Sequence, residues 1–497
     1  MKGPCVVAAV ASVMFGGSGT AGAASCAPGA FLTFEQGKLA AVDWIEYGAG
    51  RIHTKVIENQ SHIVDATIDL RPDGTASHSS VSVSAAGDDG MAMAQARDLG
   101  EGAIYWSPRI ASALEQAVTR ARVMNVPSAK IPGASLYREM RDDIGVDRVD
   151  AVDWVVQYAG RKYLVLSDEQ GCMLSATLPE YGLAIERRAE FAPAQYPLWA
   201  PYAPPPDRAY SAADVAIRAP KGHVLAGTLT RPSAKQAVPA AVLITGLSPH
   251  ERNNGDAPWM PFRDIADALT RAGIAVLRVD DRGVGQSTGD HKTMTIADKV
   301  DDVRTEVAWL RAQPGIDAKR IELVGYSEGG LIAPMVAAAD ASIAAVVTLA
   351  GPGVPGMELA RYQVEQPILR DPSVGEAQRQ QEIEKQFKEA LTDLSPHEQT
   401  FLAVDPLEYD RRVHCPALVV QGAADAHVPL RSAERLAEAM RGSGNRDVTV
   451  RIFPGVSHSL LPDPSGLSSG WAGLPGFLTA PALLAEVVAW SVARLAS

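Results

Sequence analysis

Two hydrophobic rhythms divide this 497-residue chain. From residue 210 onward, short apolar runs alternate with stretches in which apolar residues recur every three or four positions. "AAVLITG", "IAVLRVD", "RIELVGYS", "IAAVVTLAG", "PALVVQG" and "VTVRIFPG" read as strands. "PFRDIADALTRAG", "ADKVDDVRTEVAWLRAQ", "GGLIAPMVAAAD", "SAERLAEAMRG" and "PALLAEVVAWSVARLA" read as helices. "DVAIRAPKGHVLAGTLTRP", just ahead of them, predicts a hairpin. Continuous rather than alternating apolar strands imply burial on both faces. The second half is therefore expected to be α/β, a mostly parallel sheet flanked by helices. Residues 353–412 break the alternation: they supply no strand and carry charged helical sequence such as "EAQRQQEIEKQFKEAL". Inserts at the carboxyl ends of strands in an open sheet lie over its ligand crevice, so within the 210–497 domain this stretch is expected to form a helical cap over the active site.

The first half alternates apolar and polar residues, as half-buried strands do. It also echoes itself: "AVDWIEYGAGR" at 41–51 recurs as "AVDWVVQYAGR" at 151–161, with seven of eleven positions identical. "SPRIASALEQAVTRARVM" between them predicts a helix from Ser107 as N-cap, with Pro108 in the first turn. Residues 24–195 thus read as an α+β domain with a duplicated strand unit, in which each repeated Trp is expected in the core. Residues 196–209, rich in proline, read as a semi-rigid linker.

The N-terminus changes the picture of where the chain works. Lys2, an apolar run from Cys5 to Phe15 and the Ala21-Gly22-Ala23 site make residues 1–23 a secretory signal peptide, and imply a secreted or periplasmic protein. That run is too short to span a bilayer, and no other stretch is long and apolar enough to anchor the chain in a membrane. Export permits a disulfide, and Cys26 and Cys172 are its expected partners; Cys415 opens an apolar strand as a small hydrophobe. A net charge of -12 without a basic cluster argues against nucleic acid as a partner. No H-E-x-x-H and no zinc-spaced cysteines occur, so no metal or cofactor is called for.

The candidate chemistry starts at "GYSEGG", residues 325–330. G-x-S-x-G on its own is weak, and a second match, "GLSSG", surrounds Ser468. Only Ser327 has a strand before it and a helix after it, the context that lifts a serine hydroxyl to the edge of a sheet. Ser468 lies in a loop and is set aside. A serine needs a base, and the base an orienting acid. Asp425 follows the strand "PALVVQG", and His458 follows the next strand, "VTVRIFPG". The competitors fit less well. His414 precedes its strand, and His427 shares the loop of Asp425. Asp405 sits at the exit of the insertion, and Asp463 comes after the histidine.

"VGYSEGG", "DDRGVGQS" (280–287), "QGAADAHVP" and "PGVSHSL" together resemble the α/β-hydrolase superfamily, in its serine aminopeptidase-like and prolyl-oligopeptidase-like branches, over about residues 210–497. The resemblance implies an α/β-hydrolase fold. It also implies that "DDRGVGQS" builds the core near the serine rather than reacting. The oxyanion donors expected for that fold are the backbone N–H of Glu328 and one from the loop after "AAVLITG", assigned to Leu247. The Glu328 side chain either binds a substrate amine, as in aminopeptidases, or makes a structural contact, and the second is preferred. Trp259, Trp471 and Phe477 are candidates to line the pocket or simply to pack. The leading expectation is a carboxylesterase for small or medium acyl esters, with a short-peptide aminopeptidase or amidase as the alternative. The lack of any blade-length repeat of the kind prolyl-oligopeptidases carry favours the ester reading.

Overall fold

The computed structural model describes residues 26–496 except 36, 59, 61, 86–92, 108–109, 136–140, 199–201, 206–207, 248, 256–258, 372, 468–469, 472–473 and 475. The expected signal peptide (residues 1–23) and Ser468 lie outside the described residues.

The first half is one thirteen-stranded sheet wrapped on one helix. Its strands are β1 (Gly29–Glu35), β2 (Lys38–Gly48), β3 (Arg51–Glu58), β4 (His62–Leu70), β5 (Ala76–Ala85), β6 (Met93–Asp98) and β7 (Ile104–Trp106). After helix α1 (Ala111–Met124) come β8 (Ser128–Ser135), β9 (Arg141–Arg148), β10 (Asp153–Tyr158), β11 (Arg161–Ser167), β12 (Met173–Leu178) and β13 (Leu183–Arg188). The spatial order is β6-β5-β4-β3-β2-β1-β13-β12-β11-β10-β9-β8-β7. β1 pairs with both β2 and β13, which splices the two runs of strands together. Helix α1 packs on strands of both runs, and Leu114, Ala117, Val118 and Ala121 enter a core shared with Phe31, Ile52, Ile144 and Trp154.

Two expectations are corrected here. The helix begins at Ala111, not at Ser107, and has no side-chain cap of its own. Its first turn is served from β2, where the buried Asp43 carboxylate accepts the Ser112 N–H at 2.9 Å. The repeated hairpins also do not share an environment. In β2, Asp43 and Ile45 face α1, while Trp44 points to the other face, packs half-buried on a second cluster with Leu32, Val42 and Tyr196, and donates its indole N–H to the Phe191 carbonyl. In β10 the parity is reversed: Trp154 and Val156 enter the core and Asp153 is exposed. The sheet order explains this. β2 and β10 stand five places apart in an antiparallel array, so they run in opposite directions, and a hairpin that steps the same way along the sheet must then be turned over. Cys26 and Cys172 are joined in a disulfide, which ties the start of the described chain to the β11–β12 turn. Cys415 is half-buried against the core of the second half, and burial pushes its thiol up to about 11.

The second half is an eight-stranded sheet: β14 (Tyr210–Arg218), β15 (Val224–Pro232), β16 (Val238–Ile244), β17 (Ala275–Val279), β18 (Ile316–Tyr326), β19 (Ala345–Leu349), β20 (Ala417–Gly422) and β21 (Val448–Phe453). Their order is β14-β15-β17-β16-β18-β19-β20-β21, antiparallel at β14 and β15 and parallel beyond. α2 (Pro261–Arg271) and α10 (Pro481–Leu495) cover one face. α3 (Ile296–Arg311), α4 (Gly329–Ala339) and α9 (Arg431–Gly442) cover the other. The 353–412 stretch holds α5 (Gly356–Arg370), α6 (Glu376–Ala390), α7 (Pro396–Ala403) and α8 (Pro406–Asp410). From β16 the chain moves to one side for β17, then crosses back to the other side for β18. That reversal opens a crevice at the carboxyl ends of β16 and β18. Among the described residues, no helix is long and apolar enough to cross a membrane.

The halves meet at Glu35, at the end of β1. Any side chain at Gly476 of the second half would collide with its carboxylate. Burial raises the Glu35 pKa to about 8, and the carboxylates of Glu58 and Asp264 add to the rise. A carboxyl more basic in the folded state holds its proton more tightly there. Its contribution to stability is therefore complete below about 4.5 and is lost as pH rises through about 8. Glu35→Gln should stabilise the chain by about 2 kcal/mol at pH 9, reduced from the full linkage value for residual solvent contact, and leave it unchanged near pH 4. Thermal unfolding of both proteins across that range is the check; an equal gap at both ends contradicts the assignment.

Candidate active site

Ser327 sits where β18 turns into α4. Its φ is +53°, a left-handed backbone that costs energy for any residue with a Cβ. The turn is held by Ser327 N–H on the Leu349 carbonyl (2.8 Å) and by Gly330 N–H on the Ser327 carbonyl (2.8 Å). The flanking glycines are there for space. A Cβ at Gly325 would strike the Gly329 carbonyl, and one at Gly329 the Ile244 carbonyl at the end of β16. One at Gly330 would lie 2.7 Å from the Gly351 Cα. The elbow is thus packed directly between β16 and β19, and the serine projects into the crevice between them.

His458 reaches that serine from the loop after β21. Its Nε2 lies 3.0 Å from Ser327 Oγ, and its Nδ1 lies 2.9 Å from Asp425 Oδ2. Asp425 follows β20 and is almost fully buried. Its Oδ1 accepts the backbone N–H groups of His427 and Val428, both at 2.8 Å, and its Oδ2 also accepts Gln421 Nε2 at 2.8 Å. The carboxylate is therefore fixed in rotation before it meets the imidazole. Tyr326 packs on one side of the His458 ring (centroids 5.2 Å), and His427 stacks on it at 4.8 Å and 24°. Burial, with the neighbouring His458 next, pushes His427 down to about 4, so at neutral pH an uncharged ring covers the imidazole. In sequence, His427 reads only as a competitor to His458. The structure makes it a wall of the site, bonded to Asp425 through its backbone.

The other competitors are placed elsewhere. Asp405 caps α8 by accepting the Leu407 N–H, and Asp463 closes a turn on Ser465. His414 is exposed at the approach to β20. Trp259, Trp471 and Phe477 form one aromatic cluster, with ring centroids 5.4 and 5.6 Å apart. The Trp259 indole donates to the Ser459 carbonyl at 3.0 Å, so the cluster buttresses the loop carrying His458. Tyr362, on α5 of the insertion, donates its hydroxyl to the Asp425 carbonyl at 3.1 Å.

The turn after β16 passes close to the serine: a Cβ built on Gly246 would lie 3.4 Å from Ser327 Cβ. Gly246 N–H donates to Asn254 Oδ1 (2.8 Å), and the Leu247 carbonyl accepts from His250 Nε2 (2.9 Å). Among the described residues, the backbone N–H groups of Leu247 and Glu328 have no hydrogen-bond acceptor in the protein. The "DDRGVGQS" aspartates support this turn from behind. Buried Asp280 pairs with the buried Arg252 guanidinium (2.7 Å), pinning the loop that carries Asn254. Asp281 accepts Thr245 Oγ1 (2.7 Å) and His250 N–H (2.9 Å). Glu328 is 1% exposed and its carboxylate is engaged inward, by His397 Nε2 of α7 at 2.6 Å and by Lys299 of α3 at 3.4 Å. Cys26, Glu115 and Cys172 cluster in the first half. The disulfide uses both sulfurs, and Glu115 serves Tyr47, Arg187 and the Met173 N–H, so this cluster is structural.

Comparison with known proteins points the same way. The model of the family described as serine aminopeptidase, S33, matches residues 260–465. Esterase EstD of Thermotoga maritima is 26% identical over 249 residues, 48% of this chain and 58% of that protein, so the chain spans little more than half of this relative. Thiohydrolase apmlB of Arthrinium phaeospermum is 28% identical over 273 residues, 51% of this chain and 82% of that protein. Among solved structures, an esterase of Pyrococcus furiosus aligns with a TM-score of 0.42 at 17% identity, over 58% of this chain and 92% of that one. The strand order of the second sheet and the family match over 260–465 agree: the second half has an α/β-hydrolase fold.

Proposed function

We propose that this protein is a secreted or periplasmic serine hydrolase, a carboxylesterase that cleaves small or medium acyl esters through Ser327, His458 and Asp425. One observation carries the reading: a single imidazole lies 3.0 Å from the serine oxygen and 2.9 Å from a carboxylate fixed by two backbone N–H groups. Ser327 Oγ attacks the ester carbonyl while His458 Nε2 takes its proton. The imidazolium is stabilised by Asp425, and the oxyanion by the N–H groups of Glu328 and Leu247. His458 then protonates the departing alkoxide. Water, activated by the same base, releases the acid and restores the serine. The cycle balances without metal or cofactor.

The choice of ester over amide rests on Glu328. An aminopeptidase reading would give its carboxylate to a substrate amine, but that carboxylate is buried and already taken by His397 and Lys299. The esterase name of the Thermotoga relative supports the same choice. The Cys26–Cys172 disulfide supports an oxidising compartment. The test is kcat/KM on p-nitrophenyl esters of increasing chain length beside aminoacyl anilides of matched size. Esters should be preferred by about 100-fold or more, which on the scale of transition-state differences is near 3 kcal/mol. A preference for anilides would move the protein to the aminopeptidase reading.

A further inference from the structure

Lys299 is an anomaly in its helix. It is 4% exposed on α3, and its ammonium is buried beneath the turn that follows β16. Nζ donates to the Gly246 carbonyl at 2.8 Å and lies 3.4 Å from Glu328 Oε2 and 3.5 Å from Asp281 Oδ2. A lysine buried this deeply loses its hydration, a cost of several kcal/mol that only close partners offset. Two carboxylates keep it charged, and they raise its pKa against the opposing effect of burial.

We infer that Lys299 is the positioning residue of the oxyanion hole, holding the Gly246–Leu247 peptide with its N–H toward Ser327 and anchoring the side chain of Glu328, the residue that carries the other donor. This rests on the serine-hydrolase reading above. In a trans peptide the carbonyl and the following N–H point in opposite directions. An ammonium on the Gly246 carbonyl therefore fixes the Leu247 N–H on the opposite side of the same peptide plane, in a turn whose Gly246 passes close to Ser327. A glycine at this position makes the peptide easy to rotate, so its orientation needs an external hold. Asn254 fixes the preceding peptide through the Gly246 N–H, and Lys299 fixes this one. The second donor is tied to the same cation, because Glu328 N–H follows Ser327 and the Glu328 carboxylate is anchored on Lys299. A positive charge on the carbonyl end also polarises the peptide, which strengthens its N–H as a donor where negative charge develops.

The test uses the full-length chain as wild type, Lys299→Met, Lys299→Arg and Ser327→Ala, with p-nitrophenyl esters and an alkyl boronic acid. The boronic acid forms a tetrahedral serine adduct with an oxygen in the oxyanion position. Losing the alignment of one donor should lower kcat of Lys299→Met by about 100-fold while KM stays within about threefold. Affinity for the boronic acid should fall by a similar factor. Lys299→Arg, which keeps a cationic donor at this position, should recover about tenfold of kcat, a rescue that packing alone would not give. In wild type, selectively labelled leucine should show the Leu247 amide proton moving downfield when the boronic acid binds, a readout that needs no variant to fold. The assignment is overturned by a folded Lys299→Met protein with kcat and boronic acid affinity within about threefold of wild type, or by a Leu247 amide that does not respond. Activity retained in Ser327→Ala would instead remove the serine reading on which the assignment rests. An inactive Ser327→Ala beside a fully active Lys299→Met would remove only Lys299.

Discussion

Replacing Ser327 by alanine should lower kcat by about 10⁶-fold and leave the fold as it was. The change deletes one oxygen and nothing else. Alanine keeps the Cβ, accepts the φ of +53° at the same cost, and preserves the Ser327 N–H bond to the Leu349 carbonyl. Among the described residues the hydroxyl bonds to His458 Nε2 alone, so unfolding free energy should move by no more than about 0.5 kcal/mol. What remains is the rate that bound water and the proposed oxyanion donors, the Glu328 and Leu247 N–H groups, would supply without a nucleophile. Esterase assays and thermal unfolding on the same preparation separate the two readouts.

The second large effect should come from Asp425→Asn, and its direction follows from which oxygen is bonded to what. Oδ1 accepts two backbone N–H groups, from His427 and Val428, so the carbonyl oxygen of an asparagine must take that side. The amide NH₂ then occupies the position of Oδ2 and faces His458 Nδ1 at about the present 2.9 Å. A donor there can only meet an unprotonated Nδ1, which forces the proton onto Nε2, pointing at the serine. That tautomer cannot accept the serine proton, and kcat should fall by about 10⁴-fold with KM little changed. Gln421 Nε2 would also lose its acceptor. Raising the pH should not restore the rate, because the fault is a tautomer and not a charge. A variant with a rate close to wild type would remove Asp425 from the mechanism.

Residues differ in how far their roles could be read in advance, and the reason is physical. Strands inside a parallel sheet are buried on both faces, so β16 to β20 announce themselves as apolar runs, and Ser327 and Asp425 stand just beyond the ends of such runs; His458 follows the edge strand β21, which alternates apolar residues with Thr449 and Arg451. Their meeting in space is a consequence of strand order. Lys299 gives no such signal. Among Asp298, Asp301 and Asp302 it reads as one more charge on a solvated helix face, and only the closeness of α3 to the turn after β16 buries it. His397 and Tyr362 are likewise ordinary residues of a charged insertion until their helices reach Glu328 and Asp425. In the first half, the start of α1 is decided by Asp43, sixty-nine residues before the N–H it accepts. The repeated Asp-Trp pair changes faces because of how many strands separate its copies, a property of the whole sheet that eleven residues cannot carry.

The most direct test of the central claim is the mass of the intact protein after treatment with a fluorophosphonate, followed by mapping of the modified peptide. One adduct per chain, located on Ser327 and lost in Ser327→Ala, is the predicted result. No adduct on active protein, or an adduct on any other serine, would contradict the account.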